Sequence, residues 1–213
     1  MVGYYLRLCM AIGAIPESEK TEMFVDSASE RRADELFWQY GIGERGAVVA
    51  IAPGAAYGSS KLWVSENFAF VADALAEAHG FDVVLVGGPN EKRIANEICE
   101  AARSKPANFV EENMSLALLK SVMKRCDLLI TLDSGPRHFA VAFDKLVVVL
   151  MGPTSPRYTN CNLEKTVLLK VDRLDCAPCQ LKKCPTNHEC MTRITPDNVL
   201  SAVTDLLQKH GRS

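Results

Sequence analysis

The chain has 213 residues, of which 48% are hydrophobic and 23% are charged, and its formal net charge is -2 at pH 7. This size and balance predict a folded globular protein with a core of ordinary extent. The sequence has no basic run of the kind that follows a phosphate backbone, which argues against nucleic acid as a partner.

Residues 1–45 are interpreted as a linker segment that packs against the rest of the chain. The N-terminal stretch MVGYYLRLCMAIGAIP lacks a basic start and is interrupted by Arg7, so it is unlike a signal peptide and predicts an amphipathic helix. A short strand at 23–26 (MFVD), a second helix at 28–40 and a glycine-bounded turn follow. No segment approaches the roughly 20 apolar residues that cross a bilayer, so membrane contact is expected to be peripheral at most.

Residues 46–213 predict one α/β domain, because short apolar runs alternate with turns and with stretches of helical period. Their apolar character on both faces is typical of a doubly wound, Rossmann-like parallel sheet covered by helices on each side. The predicted strands are at 47–52, 82–87, 108–111, 127–132, 146–151 and 167–171. The predicted helices are at 65–79, 91–102, 115–125, 136–142 and 196–209.

The loop after the first strand, APGAAYGSSKLW, has the residue types of a phosphate site. Gly54 allows close backbone approach to a ligand, Ser59 and Ser60 offer hydroxyls, and Lys61 adds a positive charge. The loop is not a Walker sequence, since the lysine follows the serines. A flexible Gly/Ser connection with a solvated lysine is the alternative interpretation.

Two further strand ends carry polar residues. In LVGGPNEKR, Glu91 opens a helix and is placed to accept ribose hydroxyls, although an ordinary strand-to-helix turn also explains the glycine pair. In TLDSGPRHF, Ser134 can cap a helix while Gly135 leaves its N–H groups open to a diphosphate, and His138 can donate to a phosphate oxygen. Asp133 is expected to accept backbone N–H bonds or to meet a ligand hydroxyl. A plain helix cap with a packed histidine is the alternative.

A cysteine-rich run, CAPCQLKKCPTNHECM, holds the other group of reactive side chains. Its ligand types fit structural zinc, and on ligand type alone also iron–sulfur, while free thiols in a loop are the alternative. The candidate ligands are Cys176, Cys179, Cys184, His188 and Cys190. Eight cysteines in the whole chain are too sparse for a disulfide scaffold and suit a reducing cytoplasm.

Five segments, in order, resemble the C-terminal half of glycosyltransferase family 9, the ADP-heptose:lipopolysaccharide heptosyltransferases. The segments are PGAAYGSSKLW, LVGGPNE, MSLALLKSVMKRCDLLITLDSGPRHFAVAF, VVVLMGPTSPRYT and CAPCQLKKCPTNHECMTRITPDNVLSAV. The resemblance covers about residues 46–209. It implies the GT-B architecture, in which two Rossmann-like domains face a cleft and the C-terminal one holds most of the nucleotide-sugar donor.

The resemblance also implies roles for individual residues. Lys61 would neutralise the leaving diphosphate as the catalytic group, with Asp133 meeting the donor sugar or organising its loop. The other implied binding residues are Gly54, Ser59, Ser60, Glu91, Met114, Ser134, Gly135 and His138. No metal or other cofactor is implied at the donor phosphates. Many relatives have Leu and then Met or Ser after the glycine, whereas this chain has Pro136 and Arg137, so Arg137 either adds a phosphate contact or marks a different donor or acceptor.

The function implied is transfer of heptose, or a related sugar, from an ADP-sugar to a lipid-linked lipopolysaccharide core acceptor at the inner face of the inner membrane. About 45 residues precede the α/β domain, and no residue is assigned as the base that activates the acceptor, so the chain is expected to be inactive alone. A non-catalytic module that binds a nucleotide or a partner, and a zinc-stabilised structural domain, are the alternatives. The sequence leaves the oligomeric state open.

Overall fold

The computed structural model describes residues 2–44, 46–158 and 162–211. The strands within those ranges are β1 Val48–Ala52, β2 Asp82–Leu85, β3 Ala107–Asn108, β4 Leu128–Leu132, β5 Leu146–Leu150 and β6 Thr166–Leu169. The α-helices are α1 Val2–Ala11, α2 Ser27–Gln39, α3 Ser65–His79, α4 Lys92–Ala101, α5 Leu116–Arg125, α6 Gly135–Ala142, α7 Glu189–Thr192 and α8 Pro196–Lys209.

The strands form one parallel sheet in the order β3-β2-β1-β4-β5-β6. This confirms the predicted doubly wound α/β fold. The order reverses at β1, which pairs with β2 on one side and with β4 on the other. In sheets of this kind, ligands bind at the carboxyl ends of the strands beside the reversal.

Helices cover both faces of the sheet, because the central strands are apolar on both sides. Successive side chains of a strand point to opposite faces. Val49 and Ile51 therefore pack with α3, α4 and α8 in one core layer, and Val48 and Ala50 pack with α2, α5 and α6 in the other. The sheet is therefore covered by a packed core layer on each face.

The starts of α5 and α8 are capped by side chains. Ser115 Oγ accepts a backbone N–H at 3.1 Å, and Thr195 Oγ1 accepts the Asn198 N–H at 3.3 Å. In turn, Asn198 Oδ1 accepts the Thr195 N–H. Such caps contribute about 1 kcal/mol each to helix stability. Ser65 is the first residue of α3 and does not cap it, since its hydroxyl donates to Glu97.

Two predicted strands are corrected. Residues 23–26 form no strand, because Asp26 is the N-cap of α2 and accepts the Ser29 N–H at 2.9 Å. The strand predicted at 108–111 ends at Asn108, whose side-chain oxygen accepts a backbone N–H and starts a 3-10 turn over Phe109–Glu112. In both places a capping side chain next to a short apolar run determines the local structure.

The two N-terminal helices differ in how they pack. α2 buries Ala33 and Leu36 and is tied to α5 by Arg125, which bonds Glu30 and Asp34. α1 has no buried residue, so the expected packing of the first 45 residues is found for α2 but not for α1. The division of the chain at residue 45 stays an interpretation. Within the described ranges, no helix is both long enough and apolar enough to cross a membrane.

Candidate functional site

The candidate site lies at the edge of the sheet where the strand order reverses. β1 ends at Ala52 and is followed by residues 53–62, here called the lysine loop. β4 ends at Leu132, and after two intervening residues α6 begins at Gly135. Because β1 and β4 pair in parallel, with Ala52 opposite Thr131, both loops leave the sheet side by side. This is the position at which the fold is expected to bind a ligand.

Lys61 links the two loops. It ends the 3-10 turn Ser59–Lys61, and its side chain is only 9% exposed. The Nζ atom donates to the backbone oxygen of Asp133 at 2.5 Å and to its Oδ2 atom at 3.0 Å. It also lies 5.0 Å from the ring centre of Tyr57, within the range of a cation–π contact. Lys61, the cation predicted for the first strand end, is therefore fixed at the start of the loop that follows β4.

Asp133 is held by three side chains. Lys61 and Thr154 Oγ1, the latter at 2.7 Å, donate to Oδ2, and the Arg137 guanidinium donates to Oδ1 at 3.2 Å. Burial acts to raise the pKa of Asp133, but the bonds from Thr154 and Lys61 and the nearby positive charges outweigh it and lower that pKa. The sequence predicted bonds from backbone N–H groups or a ligand hydroxyl. The structure shows side-chain donors at this carboxylate, and its contact with a ligand hydroxyl stays a prediction.

The sequence did not identify Arg137 and Thr154 as donors to Asp133. Arg137 is only 1% exposed and turns inward to Asp133, so its guanidinium is part of the support of the site. Thr154 follows the end of β5, the strand next to β4, and that placement is a sequence signal that could have singled it out. Their contacts depend on which strands are neighbours.

The first turn of α6 is open in front of its N–H groups. Ser134 is the N-cap residue, with φ -143° and ψ 179°, but its side chain makes no capping bond. Its Oγ atom lies 3.4 Å from Thr131 Oγ1 instead. A Cβ added to Gly135 would have no neighbour within 4 Å. The predicted side-chain cap by Ser134 is therefore wrong. The expected open N-terminus of α6 is present and carries partial positive charge.

His138 lies on the same turn and is exposed. Partial burial of its ring, followed by the positive charge of Arg137, lowers the pKa of His138 against the opposing effect of Asp133. The imidazole is therefore predominantly neutral at pH 7 and has one N–H to donate.

Gly54 and Glu91 are close neighbours. A Cβ on Gly54 would lie 2.0 Å from Glu91 Cγ, so this glycine makes room for a side chain of the protein. The Oε2 atom of Glu91 accepts the Gly88 N–H at 2.8 Å and closes the turn before α4. Met114, expected near a nucleoside, is 7% exposed and packs in a core layer.

The serines of the lysine loop differ in exposure. Ser59 is exposed and remains available to a ligand. Ser60 is 2% exposed, and its Oγ atom donates to the backbone oxygen of Leu181 at 2.5 Å. Ser60 was predicted as a ligand hydroxyl, and the structure uses it to join the lysine loop to residues 176–190, here called the cysteine-rich loop.

The cysteine-rich loop gathers its thiols around a small cavity of about 60 Å³. The thiols that line it are Cys176, Cys179, Cys184 and Cys190. His188 also lines it, but its Nε2 atom lies 2.5 Å from the backbone oxygen of Ser60. In the described part of the chain, no three His, Cys, Asp or Glu side chains are arranged to hold a metal ion. Zinc binding by this loop stays a prediction.

The structure therefore sorts the predicted site residues into groups. Lys61 and Asp133 are in direct contact, and Ser134, Gly135 and His138 follow on the same loop and helix turn. The pair formed by Gly54 and Glu91 lies at neighbouring strand ends. These groups form a strand-end site in which a lysine and a helix N-terminus lie together, an arrangement that fits a phosphorylated ligand.

The chain matches one family profile over most of its length. Residues 1–189 match the sequence profile of glycosyltransferase family 9 (heptosyltransferase). The lipooligosaccharide heptosyltransferase 2 of Campylobacter jejuni is 32% identical over 167 residues, which are 76% of this chain and 51% of that protein. The chain spans about half the length of the curated relatives it matches.

Solved structures show the same fold. The glycosyl transferase family 9 protein of Veillonella parvula aligns with a TM-score of 0.81 and 24% identity, over 96% of this chain and 59% of that one. The ADP-heptose lps heptosyltransferase II of E. coli aligns with a TM-score of 0.74 and 24% identity, over 92% of this chain and 56% of that one. At this identity the likeness shows the fold alone.

Proposed function

Because this chain belongs to glycosyltransferase family 9, we propose that its strand-end site binds the diphosphate of an ADP-sugar donor. The sugar is heptose or a related sugar, and the acceptor is a lipid-linked saccharide of the lipopolysaccharide core. Support for the donor comes from the E. coli protein of the same fold, which is an ADP-heptose enzyme by name. Support for the acceptor comes from the relatives, which are lipooligosaccharide and lipopolysaccharide heptosyltransferases.

The observation that carries the proposal is the position of Lys61 at the start of α6. Its ammonium group is bound to Asp133, one residue before the N-cap of a helix whose first N–H groups are not capped by Ser134. A lysine cation and the partial positive charge of a helix N-terminus at one point favour a doubly phosphorylated ligand.

Arg137 and Lys61 each contact one oxygen of the Asp133 carboxylate. Because Arg137 is fully buried against Asp133, the charge of Lys61 is the one that can be shared with a ligand. Bond cleavage between the sugar and the diphosphate places extra negative charge on the departing phosphate, and Lys61 would stabilise it there.

His138 and Ser59 would complete the phosphate contacts. His138 is neutral at pH 7 and exposed, so its N–H can donate to a phosphate oxygen. Ser59 is exposed two residues before Lys61. Glu91 would meet the ribose with the carboxylate oxygen that is not used by the Gly88 N–H.

We assign no residue of the site as the base that activates the acceptor hydroxyl. The proposed activity of these 213 residues is therefore donor binding, and sugar transfer by them alone is expected to be absent. The acceptor would be met at the inner face of the inner membrane, with peripheral contact at most. The alternative of a non-catalytic nucleotide-binding module predicts the same binding, so the two are separated by transfer assays in which the chain is mixed with the acceptor-binding domain of a family 9 enzyme.

A calorimetric titration tests the proposal. ADP should bind the wild-type chain more tightly than AMP, and Lys61→Ala should weaken ADP binding by about 10- to 100-fold, the worth of one charge-assisted hydrogen bond. AMP binding should change much less, since the β-phosphate is the group that meets the lysine. Lys209→Ala, an exposed lysine at the end of α8, is the matched control. Equal affinity of wild type and Lys61→Ala for ADP would contradict the assignment of Lys61.

A further inference from the structure

The lysine loop is bonded to the cysteine-rich loop along its length. Tyr57 donates its phenolic O–H to the backbone oxygen of Gln180. The Ser60 N–H donates to the backbone oxygen of Lys182 at 3.1 Å, and the Ser60 hydroxyl donates to that of Leu181 at 2.5 Å. The residues joined are about 120 positions apart in the chain, so these contacts are a feature of the tertiary fold.

His188 completes the attachment of Ser60. Its Nε2 atom lies 2.5 Å from the Ser60 backbone oxygen, and a carbonyl oxygen only accepts, so the proton is on Nε2. The N–H, the hydroxyl and the carbonyl of Ser60 are thus each bonded to the cysteine-rich loop. Ser60 immediately precedes Lys61, and a residue fixed at all three polar groups fixes the direction in which the next side chain leaves the backbone.

The fit between the loops is close as well as polar. A Cβ on Gly58 would lie 2.3 Å from the backbone oxygen of Lys182, so the two backbones approach to a distance that only glycine allows. Ser60 and His188 both line the small cavity among the thiols. The packing around that cavity therefore supports the same residue that the hydrogen bonds hold.

We propose that the cysteine-rich loop is a brace that holds Lys61 in its binding position, and that His188 is the positioning residue of this brace. The inference rests on the proposed function, in which Lys61 contacts the diphosphate of the donor. Lysine has a flexible four-carbon stem, and a ligand must restrict it when the lysine binds. A brace that orders the backbone of Lys61 beforehand, together with Asp133 at its tip, reduces that cost and raises the affinity for a diphosphate.

Two substitutions of His188 separate its hydrogen bond from its backbone conformation. His188 has φ 58° and ψ 29°, the left-handed region that asparagine tolerates better than glutamine. Glutamine carries its amide nitrogen far enough to donate to Ser60, and asparagine ends one carbon short. His188→Asn should therefore weaken ADP binding by about 3- to 10-fold, the worth of one hydrogen bond, while His188→Gln stays close to wild type. The opposite order would show that backbone strain determines the effect and would overturn the proposal.

A double-mutant cycle tests whether His188 acts through Lys61. In a Lys61→Ala background, His188→Asn should have no further effect on ADP affinity, because the residue that the brace positions is gone. An equal loss in both backgrounds would assign His188 a general structural role and overturn the proposal. Thermal unfolding of each variant, with the exposed His79→Asn as control, shows whether the fold is retained.

Chemical labelling of lysine tests the brace without any ligand. Lys61 is nearly buried, so acetic anhydride should acetylate it slowly in the wild-type chain, as measured by mass spectrometry against exposed Lys209 in the same sample. His188→Asn should speed the labelling of Lys61 several-fold, and His188→Gln should not. Unchanged labelling in His188→Asn would overturn the brace even if ADP binds as proposed. Faster labelling with no dependence of ADP affinity on Lys61 would instead contradict the proposed function.

Discussion

Lys61 and Asp133 lie 72 residues apart in the chain and form an ion pair with 3.0 Å between Nζ and Oδ2. Their loops meet because β1 and β4 are paired strands of one sheet. Arg137 contacts the other carboxylate oxygen at 3.2 Å, and its side chain is 1% exposed. One aspartate therefore balances two cations that have little access to water.

Replacement of Asp133 by asparagine should destabilise the protein. Asp133→Asn removes the carboxylate charge that Lys61 and Arg137 both contact, and removal of one partner of a buried ion pair costs about 3 kcal/mol or more. Denaturant unfolding at pH 7 measures the loss of free energy. Asp144→Asn is the control, since that side chain is 79% exposed and its pair with Lys165 should contribute little. Equal stability of the two variants would show that the Asp133 charge is not required.

The same variant predicts a pH dependence. The bonds from Thr154 and Lys61 outweigh burial and lower the pKa of Asp133 below its ordinary value of 3.8. A depressed folded-state pKa stabilises the protein fully above the unfolded-state pKa, and the stabilisation is lost as the pH falls through the folded-state value. The difference in unfolding free energy between wild type and Asp133→Asn should therefore shrink below about pH 4. A difference that stays constant down to the acid limit would contradict the assignment.

Gly54→Ala should act through Glu91. The added Cβ would overlap Glu91 Cγ at 2.0 Å, which forces the glutamate away and breaks its bond to the Gly88 N–H. We expect a loss of about 1–3 kcal/mol, as for overpacking in other tight sites. In Gly54→Ala/Glu91→Ala the collision is absent, so the double variant should lose less stability than the sum of the single variants. Additive losses, measured by denaturant unfolding, would show that the two sites act independently.

The cysteines should differ in reactivity towards iodoacetamide. Hydrogen bonds from Thr186 lower the pKa of Cys184, whereas burial, followed by the neighbouring thiols, raises the pKa of Cys190 to about 11. Because the thiolate is the reacting form, Cys184 should be alkylated at least about ten times faster than Cys190 at pH 8. Thr186→Ala should slow Cys184 and leave Cys190 unchanged. Mass spectrometry of labelled peptides measures both rates, and equal rates would be incompatible with this assignment.

Elemental analysis tests whether the cysteine-rich loop holds zinc. The Nε2 atom of His188 is already bonded to Ser60, and within the described residues no three His, Cys, Asp or Glu side chains are arranged to hold a metal ion. We therefore expect less than about 0.1 equivalent of zinc per chain after purification, against the full occupancy of a structural site. One equivalent in wild type that is absent from Cys176→Ser/Cys179→Ser would establish the zinc-stabilised alternative.

Much of the fold follows from local patterns. The apolar runs at β1, β4 and β5 are buried on both faces, and the caps Ser115 and Thr195 start the predicted helices. Such features depend on residues within a few positions of each other, so they can be predicted without knowledge of the sheet order. The errors at residues 23–26 and 108–111 arose where a capping side chain adjoined a short apolar run.

Local sequence patterns are enough to predict the class of fold and the strand ends that carry reactive side chains, with a cation, a helix N-terminus and a histidine among them. The partners of these side chains follow from the folded chain: Asp133 is bonded to Lys61, and Gly54 makes room for Glu91. Ser60 is hydrogen-bonded to the cysteine-rich loop. These contacts join residues far apart in the chain, and they form because strand pairing and loop packing bring the backbones together, which no local periodicity encodes.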